Sequence, residues 1–195
     1  MGWVANHDGN LSLRLRGNRL LVTPTSVSKA DVDDASLVIV DFESRVLEGR
    51  NKPFSELDLH LAAYRTRLEV DAVVHAHPPH ATACGISGSS LKVATMPEVA
   101  ISLGHGVPTA PLAMPNSPES AKAVADLIKE FDAILLAGNG AITVGVDMEQ
   151  AYLRMELVEH YAKIVTLARA QGNLVELPGP MLDKLLEQRK KIFGR

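Results

Sequence analysis

Residues 52–83 read KPFSELDLHLAAYRTRLEVDAVVHAHPPHATA, and this stretch changes from helical to strand periodicity and back. Its first part places apolar residues at helical spacing, and Ser55 and Asp58 have the spacing of a capping box, so a helix is predicted to begin at Ser55. The apolar run VDAVVHAH then predicts a buried strand, which two prolines stop. HATACGIS predicts a second, short helix.

The segments before this stretch predict antiparallel strand pairs. GNLSLRL and NRLLVTPTS have strand periodicity, and the residues between them predict a hairpin that turns through Gly17 and Asn18. A strand over residues 37–41 is followed by a polar turn and a short strand over residues 46–48. The first half of the chain is therefore expected to build neighbouring strands of one sheet.

The segments after it alternate between loops, helices and strands. MPEVAISLGHGVPTAPLAMP is predicted to be rich in loops, and Ser117 is predicted to cap a helix with Pro118 in its first position. AILLAGNGAITVG predicts two apolar strands joined by a tight turn at residues 138–140. A long helix is expected over residues 147–170, and a final helix from Pro180 onwards.

Locally paired strands with helices between them predict an α/β sandwich around a mostly antiparallel sheet. With 195 residues, 46% of them hydrophobic, the chain is expected to form a single domain over residues 1–195. The formal net charge of −3 disfavours a nucleic-acid partner, and no apolar run is long enough for a membrane span. The lone Cys84 and the absence of a signal-like start favour a soluble, cytoplasmic protein with a small-molecule partner.

Two histidines and an acid stand out as candidates for chemistry. His75 and His77 are two residues apart at a strand end, so both side chains are expected on one face, where two imidazoles can chelate one ion. Glu56 begins the preceding helix, and together the three groups form a mixed nitrogen and oxygen set that suits zinc, iron or manganese. His80 is interpreted as a polar residue near a helix start, and His60, four residues after Glu56, as a structural hydrogen-bonding residue.

The motifs GNLSLR, LLVTPTS, residues 52–83, LLAGNGAITVG and EQAYLRMELVEHYAKI occur in one order over residues 9–168. In that series the chain resembles the class II aldolase/adducin family. The resemblance implies a three-layer α/β/α sandwich that assembles as a homotetramer, with active sites at subunit boundaries. A cupin is the weaker alternative, because HAHPPHATA lacks the glutamate expected after the second histidine.

The resemblance also implies roles at the strand end. Glu56 corresponds to the general acid/base, and His75 and His77 to two ligands of a divalent metal, most simply zinc, with manganese, iron or cobalt as alternatives. Asn139 stands where the family has a third histidine ligand, and a neutral amide is a poor zinc ligand. Glu56 itself, a water molecule, His105 or His160, from this chain or a neighbouring subunit, remain alternative third ligands.

Four residues match loops that hold the substrate phosphate in the aldolases of the family: Asn10, Thr25, Ser26 and Ser55. Ser26 replaces a glycine of that pattern, and Phe54 replaces a serine. A backbone nest for an anion is easiest to build with glycine, and Phe54 is expected to narrow the pocket. A sugar phosphate and an unphosphorylated hydroxy-carbonyl compound are therefore both kept as substrate classes.

The resemblance implies a metal-dependent lyase of the aldolase type, which cleaves a hydroxy-ketone or ketose phosphate through an enediolate with Glu56 as acid/base. A decarboxylase, a dehydratase and an epimerase of the same family are alternatives. A non-catalytic, adducin-like assembly domain is a further alternative, because Asn139 and Phe54 remove a ligand and an anion donor.

Overall fold

The computed structural model describes residues 1–89, 91 and 94–194, which contain eight strands and six helices. The strands are β1 (Asn10–Leu15), β2 (Arg19–Val22), β3 (Val38–Asp41), β4 (Val46–Glu48), β5 (Ala72–Ala76), β6 (Thr109–Ala110), β7 (Ala133–Leu136) and β8 (Ala141–Gly145). The helices are α1 (Leu57–Thr66), α2 (Pro79–Ser87), α3 (Pro97–Leu103), α4 (Pro118–Ile128), α5 (Met148–Gln171) and α6 (Gly179–Phe193).

All eight strands form one sheet in the order β4-β3-β2-β1-β5-β8-β7-β6. Every neighbouring pair in this described sheet is antiparallel except β6 and β7, so the prediction of a mostly antiparallel sheet is confirmed. Because β1 and β8 both run antiparallel to β5, the start of β1, the end of β5 and the start of β8 lie side by side at one end of these three central strands, and this end is the edge of the sheet meant below.

Helices cover both faces of the sheet, which gives the three layers that were predicted. Alternate residues of β5 show the division: Val74 packs with α2, α3 and α5 in one apolar cluster, whereas Val73 packs with α1 and α4 in a second cluster. The residues of α1 therefore lie on the same side of the sheet as the odd-numbered residues of β5. This parity directs His75 towards α1.

Most local predictions from the sequence are confirmed. The hairpin between β1 and β2 turns through Gly17 and Asn18, both with positive φ. Ser117 caps α4, since its Oγ accepts a hydrogen bond from the Ser120 amide at 3.2 Å. Asp147 caps the long helix α5 in the same way.

Two local predictions are wrong. The first concerns Ser55, which is exposed and makes no capping bond, because the chain turns once more and α1 begins only at Leu57 with Glu56 in the cap position. The second concerns the stretch predicted as loops, which contains α3. This helix has Pro97 in its first turn and buries Val99 and Leu103 at helical spacing, and its seven residues are too few for a clear periodicity.

A buried charge cluster lies at the other end of the strands, away from the end of β5, and binds the last helix there. Asp132 is fully buried between the guanidinium groups of Arg67, Arg154 and Arg189, at 2.7 Å from Arg67 and 2.8 Å from Arg154. Nη1 of Arg189 donates to the carbonyl oxygens of Ile101 and Ser102. Asp132 therefore ties α1, α5 and α6 together.

Candidate active site

The candidate residues converge where β1, β5, β8 and α1 meet. Asn10, the first residue of β1, pairs in register with His75, and His75 pairs with Ile142 of β8. Glu56 stands at the start of α1 and reaches across to this edge of the sheet. Strand ends that open onto a crevice are where α/β proteins place ligands, and here one acid and two histidines meet at such an end.

The tautomer of His75 follows from its neighbours. Its Nδ1 lies 2.9 Å from the carbonyl oxygen of Ala141, which only accepts hydrogen bonds, so Nδ1 carries the proton. In the neutral ring Nε2 then presents a lone pair. Nε2 is buried without a hydrogen-bond partner, although Oε2 of Glu56 lies 3.3 Å away in poor alignment. A lone pair and a carboxylate that face each other in a buried position call for a cation between them, which is either a proton on Nε2, which charges the ring, or a metal ion.

His77 continues the site beyond the end of β5. Its ring meets that of His75 edge to face, with 5.1 Å between the centroids, and is only half-buried. Nδ1 of His77 lies 3.8 Å from a carboxylate oxygen of Asp8. Burial, and next the charge of His75, lower the pKa of His77, while Asp8 and Glu56 oppose the shift. A neutral imidazole is the form that binds a metal ion.

The turn between β7 and β8 brings Asn139 to the two histidines. Asn139 donates from Nδ2 to Oε1 of Glu56 at 2.7 Å, and its amide also contacts His77. The approach depends on Gly140, which has φ +74°; a Cβ there would lie 2.2 Å from the Ala76 oxygen and 2.6 Å from Cδ2 of His77. Only glycine fits at this position.

Glu56 is held from two sides by amides. Asn139 donates to Oε1, and Asn10 donates to Oε2 at 3.1 Å. Burial works against the charged carboxylate, but the hydrogen bond and positive charge of a protonated His75, and next the two amide donors, outweigh it and hold the pKa of Glu56 well below its usual range. The acid is therefore a carboxylate in this structure, directed at His75.

The donor set fits a divalent cation, with fewer strong ligands than a typical zinc site. Nε2 of His75 is an unpartnered, buried lone pair, His77 adds a second imidazole, and the carbonyl oxygen of Asn139 can accept a cation while its NH₂ donates to Glu56. Within residues 1–89, 91 and 94–194, no three His, Cys, Asp or Glu side chains form a group that could hold a metal ion. A cation here would therefore rely on the amide, on water or on a group from another chain.

The other histidines lie elsewhere. His105 is exposed and lines a cavity beside α6 with Leu186 and Lys190, and His160 is exposed on α5. His80 has the predicted place at a helix start, where its Nδ1 lies 2.7 Å from Glu159. Within the described residues, none of these three histidines is therefore placed as a ligand beside His75 and His77.

The loops predicted to hold phosphate lie next to this edge. Pro24 bridges to Pro53, and the amide of Thr25 donates to the carbonyl of Lys52 at 2.9 Å, so the Thr25–Ser26 turn lies against the segment that leads to Ser55. Ser26 has φ +59°, the left-handed conformation that glycine adopts without strain. The serine therefore keeps the backbone shape for which a glycine was expected.

Phe54 does not narrow the pocket as predicted. Its ring is buried in the core on the α1 side and packs on His60 at 4.7 Å between centroids. Sequence reasoning missed the contact of Asp8 with His77, the hydrogen bond of Ser12 to His60 and that of Tyr64 to Ser12. Asp8 and Ser12 flank the GN motif, but no periodicity indicates what their side chains contact.

Comparison with known proteins agrees with this geometry. A family profile described as "Class II Aldolase and Adducin N-terminal domain" matches residues 1–166. The chain belongs to the class II aldolase/adducin family. The prediction made from the motifs is thereby confirmed, together with the fold.

Among its class II aldolase relatives is the L-fuculose phosphate aldolase of Methanococcus maripaludis, 32% identical over 83% of this chain and 86% of the relative. The 3-oxo-tetronate 4-phosphate decarboxylase of Escherichia coli K12 is 33% identical over 84% of this chain and 78% of the relative. A solved L-fuculose 1-phosphate aldolase superposes with a TM-score of 0.90 at 30% identity, covering 97% of this chain and 89% of the other.

Class II aldolases are lyases that generally depend on a divalent metal, and the relatives named above include both an aldolase and a decarboxylase. In this class II aldolase family member, none of the helices within the described residues has the length and apolar character needed to cross a membrane.

Proposed function

We propose that this protein is a divalent-metal lyase that cleaves a carbon–carbon bond in a small phosphorylated hydroxy-carbonyl compound. Glu56 is the acid/base, and His75, His77 and Asn139 hold the metal, which is most simply zinc, with manganese, iron or cobalt as alternatives. The observation that carries the proposal is the buried Nε2 of His75, whose lone pair has no hydrogen-bond partner and faces the carboxylate of Glu56.

A divalent ion at this position would polarise a carbonyl or hydroxyl oxygen of the substrate. The remaining chemistry falls to the chain itself. Glu56 is ionised and lies beside the two histidines, so it has the protonation state and the position needed to take a proton from a substrate hydroxyl or carbon and to return it after bond cleavage. Its two amide partners fix the direction in which the carboxylate points.

A phosphorylated substrate is favoured by the Thr25–Ser26 turn. A serine with positive φ costs about 1–2 kcal/mol relative to a right-handed conformation, and such strain is usually kept where the backbone shape has a function. The turn carries the hydroxyls of Thr25 and Ser26 beside the exposed Ser55. The named relatives act on sugar or sugar-acid phosphates, which agrees with an anion site here.

A substrate screen tests this function. The purified protein, loaded separately with zinc, manganese or cobalt, should release a carbonyl product from a ketose 1-phosphate or carbon dioxide from a 3-oxo-acid phosphate. Glu56→Gln should lower kcat about 10²–10⁴-fold while the metal content stays unchanged. The matched control is Glu98→Gln, an exposed acid on α3, which should retain full activity.

Four outcomes of the screen carry different meanings. Release of an aldehyde supports an aldolase, and release of carbon dioxide supports the decarboxylase alternative. Equal activity of Glu56→Gln and the wild type would contradict the proposed role of the acid. If no phosphorylated or unphosphorylated compound reacts or raises the melting temperature, the lyase proposal is wrong and the adducin-like alternative replaces it.

The proposal includes the domain organisation, the assembly and the cellular location of the enzyme. We infer that residues 1–195 form one catalytic domain, since both apolar clusters share the single sheet. We further propose a homotetramer in the cytoplasm, in line with the single, buried Cys84. Sedimentation of the purified protein tests the assembly, and a monomer at micromolar concentration would contradict it.

A further inference from the structure

A chain of hydrogen bonds runs through the core behind the acid. Glu56 accepts from the Asn10 NH₂ at 3.1 Å, and Oδ1 of Asn10 lies 2.7 Å from Nε2 of His60. On the other side of the ring, Nδ1 of His60 lies 2.6 Å from the hydroxyl of Ser12. The Tyr64 hydroxyl closes the chain at 2.8 Å from both Oγ and the carbonyl oxygen of Ser12.

The carboxylate of Glu56 fixes the position of every proton in this chain. An ionised carboxylate only accepts, so Asn10 must present its NH₂ to Glu56 and its carbonyl oxygen to His60. His60 therefore carries its proton on Nε2, and its Nδ1 must accept from Ser12. Because the single proton of Ser12 is then used, Tyr64 is the donor, and its one proton is shared between Oγ and the carbonyl oxygen of Ser12. Asn10, His60 and Ser12 each have one arrangement that satisfies their neighbours.

The chain is well protected from water. Asn10 is 4% exposed, Ser12 is 1% exposed, and His60 and Tyr64 are fully buried. Burial, followed by the charge of His75, lowers the pKa of His60 to about 3, so the ring remains neutral with one donor and one acceptor. In such surroundings water does not replace a lost hydrogen-bond partner. The orientation of the Asn10 side-chain amide therefore depends on its hydrogen bond to His60.

We propose that His60 is a positioning residue: by donating from Nε2 to Oδ1 of Asn10, it keeps the Asn10 NH₂ turned towards Glu56 and thereby holds that carboxylate against His75. A flipped Asn10 would set its carbonyl oxygen against the carboxylate and push Glu56 out of line. The catalytic consequence rests on the proposed function, since it matters only if Glu56 is the acid/base. The effect of His60 on the orientation of the Asn10 amide does not depend on the proposed function.

Three variants test the inference. His60→Leu removes both hydrogen bonds, whereas His60→Gln can still donate from its amide to Asn10 and accept from Ser12. Tyr64→Phe, at the far end, removes a buried hydrogen bond while Ser12 still donates to His60, so it controls for a general loss of stability. The first measurement is the side-chain amide signal of Asn10 in ¹⁵N-labelled, metal-free protein, together with its exchange with solvent.

The expected result is a slowly exchanging Asn10 NH₂ in the wild type, His60→Gln and Tyr64→Phe, and a shifted, fast-exchanging signal in His60→Leu. In the metal-loaded enzyme, kcat should fall about 10-fold or more in His60→Leu, with KM little changed, and His60→Gln should recover most of the loss. An unchanged Asn10 signal in His60→Leu, or no recovery in His60→Gln, overturns the inference. If the wild type has no lyase activity, the proposed function fails, while the amide measurement still decides the inference.

Discussion

Gly140→Ala tests the close approach on which the site geometry depends. An alanine at φ +74° costs about 1–2 kcal/mol for the left-handed conformation alone. Its Cβ would in addition lie 2.2 Å from the backbone oxygen of Ala76 and 2.6 Å from His77. Because a backbone oxygen in β5 cannot yield, the turn has to move by about 1 Å, which adds about 1–3 kcal/mol of overpacking.

Gly138→Ala provides the matched control in the same turn. Gly138 has φ +71°, but a Cβ there would meet only the side chain of Leu112, at an ordinary 3.6 Å. This variant should lose only the conformational cost of about 1–2 kcal/mol. Urea unfolding of both variants measures the difference, which we expect to be about 1–3 kcal/mol larger for Gly140→Ala.

The displaced turn should also carry Asn139 away from His77 and Glu56. Zinc affinity is therefore expected to fall in Gly140→Ala and to stay near the wild-type value in Gly138→Ala. Equal losses of stability and equal zinc affinities in the two variants would refute the argument, because the contact between Gly140 and the strand end would then have no energetic role.

Three further predictions concern residues around the site and the core. Asp132→Ala should lower the free energy of unfolding by about 3–5 kcal/mol, because three buried guanidinium groups lose their shared carboxylate; a loss below 1 kcal/mol in urea would contradict this. The pKa of His60 is lowered to about 3, below the unfolded value near 6.5, so its contribution is complete above pH 6.5 and declines as the pH falls towards 3. The wild type should therefore lose roughly 2 kcal/mol more than His60→Gln between pH 7 and pH 5, and parallel pH profiles would count against a buried neutral ring. Ser26→Gly should leave stability unchanged or raise it by up to about 1 kcal/mol, since glycine removes the strain of φ +59° but adds entropy to the unfolded chain; a clear loss would mean that the serine side chain is needed for the turn.

The parts of the fold that follow local rules were predictable from the sequence. The hairpin at Gly17, the cap at Ser117 and the long helix α5 depend on periodicity and on residues within a few positions of one another. The short helix α3 was missed because seven residues show too little periodicity. The cap at Ser55 was wrong because the turn through Glu56, whose carboxylate binds Asn10 and Asn139, delays the helix.

The sequence was enough to predict which residues meet at the candidate site, but not the hydrogen bonds that connect them. Strand parity at β5 was enough to place His75 and His77 together, and the helix start next to this strand pointed to Glu56. The proton on Nδ1 of His75 depends on the register between β5 and β8, which joins it to Ala141. The link from His60 to Glu56 likewise needs β1 beside β5. Such long-range pairings leave no local pattern in the sequence.

Calorimetric titration of the metal-free protein with zinc tests the central claim most directly. The wild type should bind about one ion per chain, because two imidazoles and an amide oxygen meet beside Glu56. His77→Ala should abolish the binding with the circular dichroism spectrum unchanged, whereas the control His80→Ala, whose histidine pairs with Glu159, should bind as the wild type does. Zinc binding that is absent from the wild type, or unaffected by His77→Ala, would contradict the account.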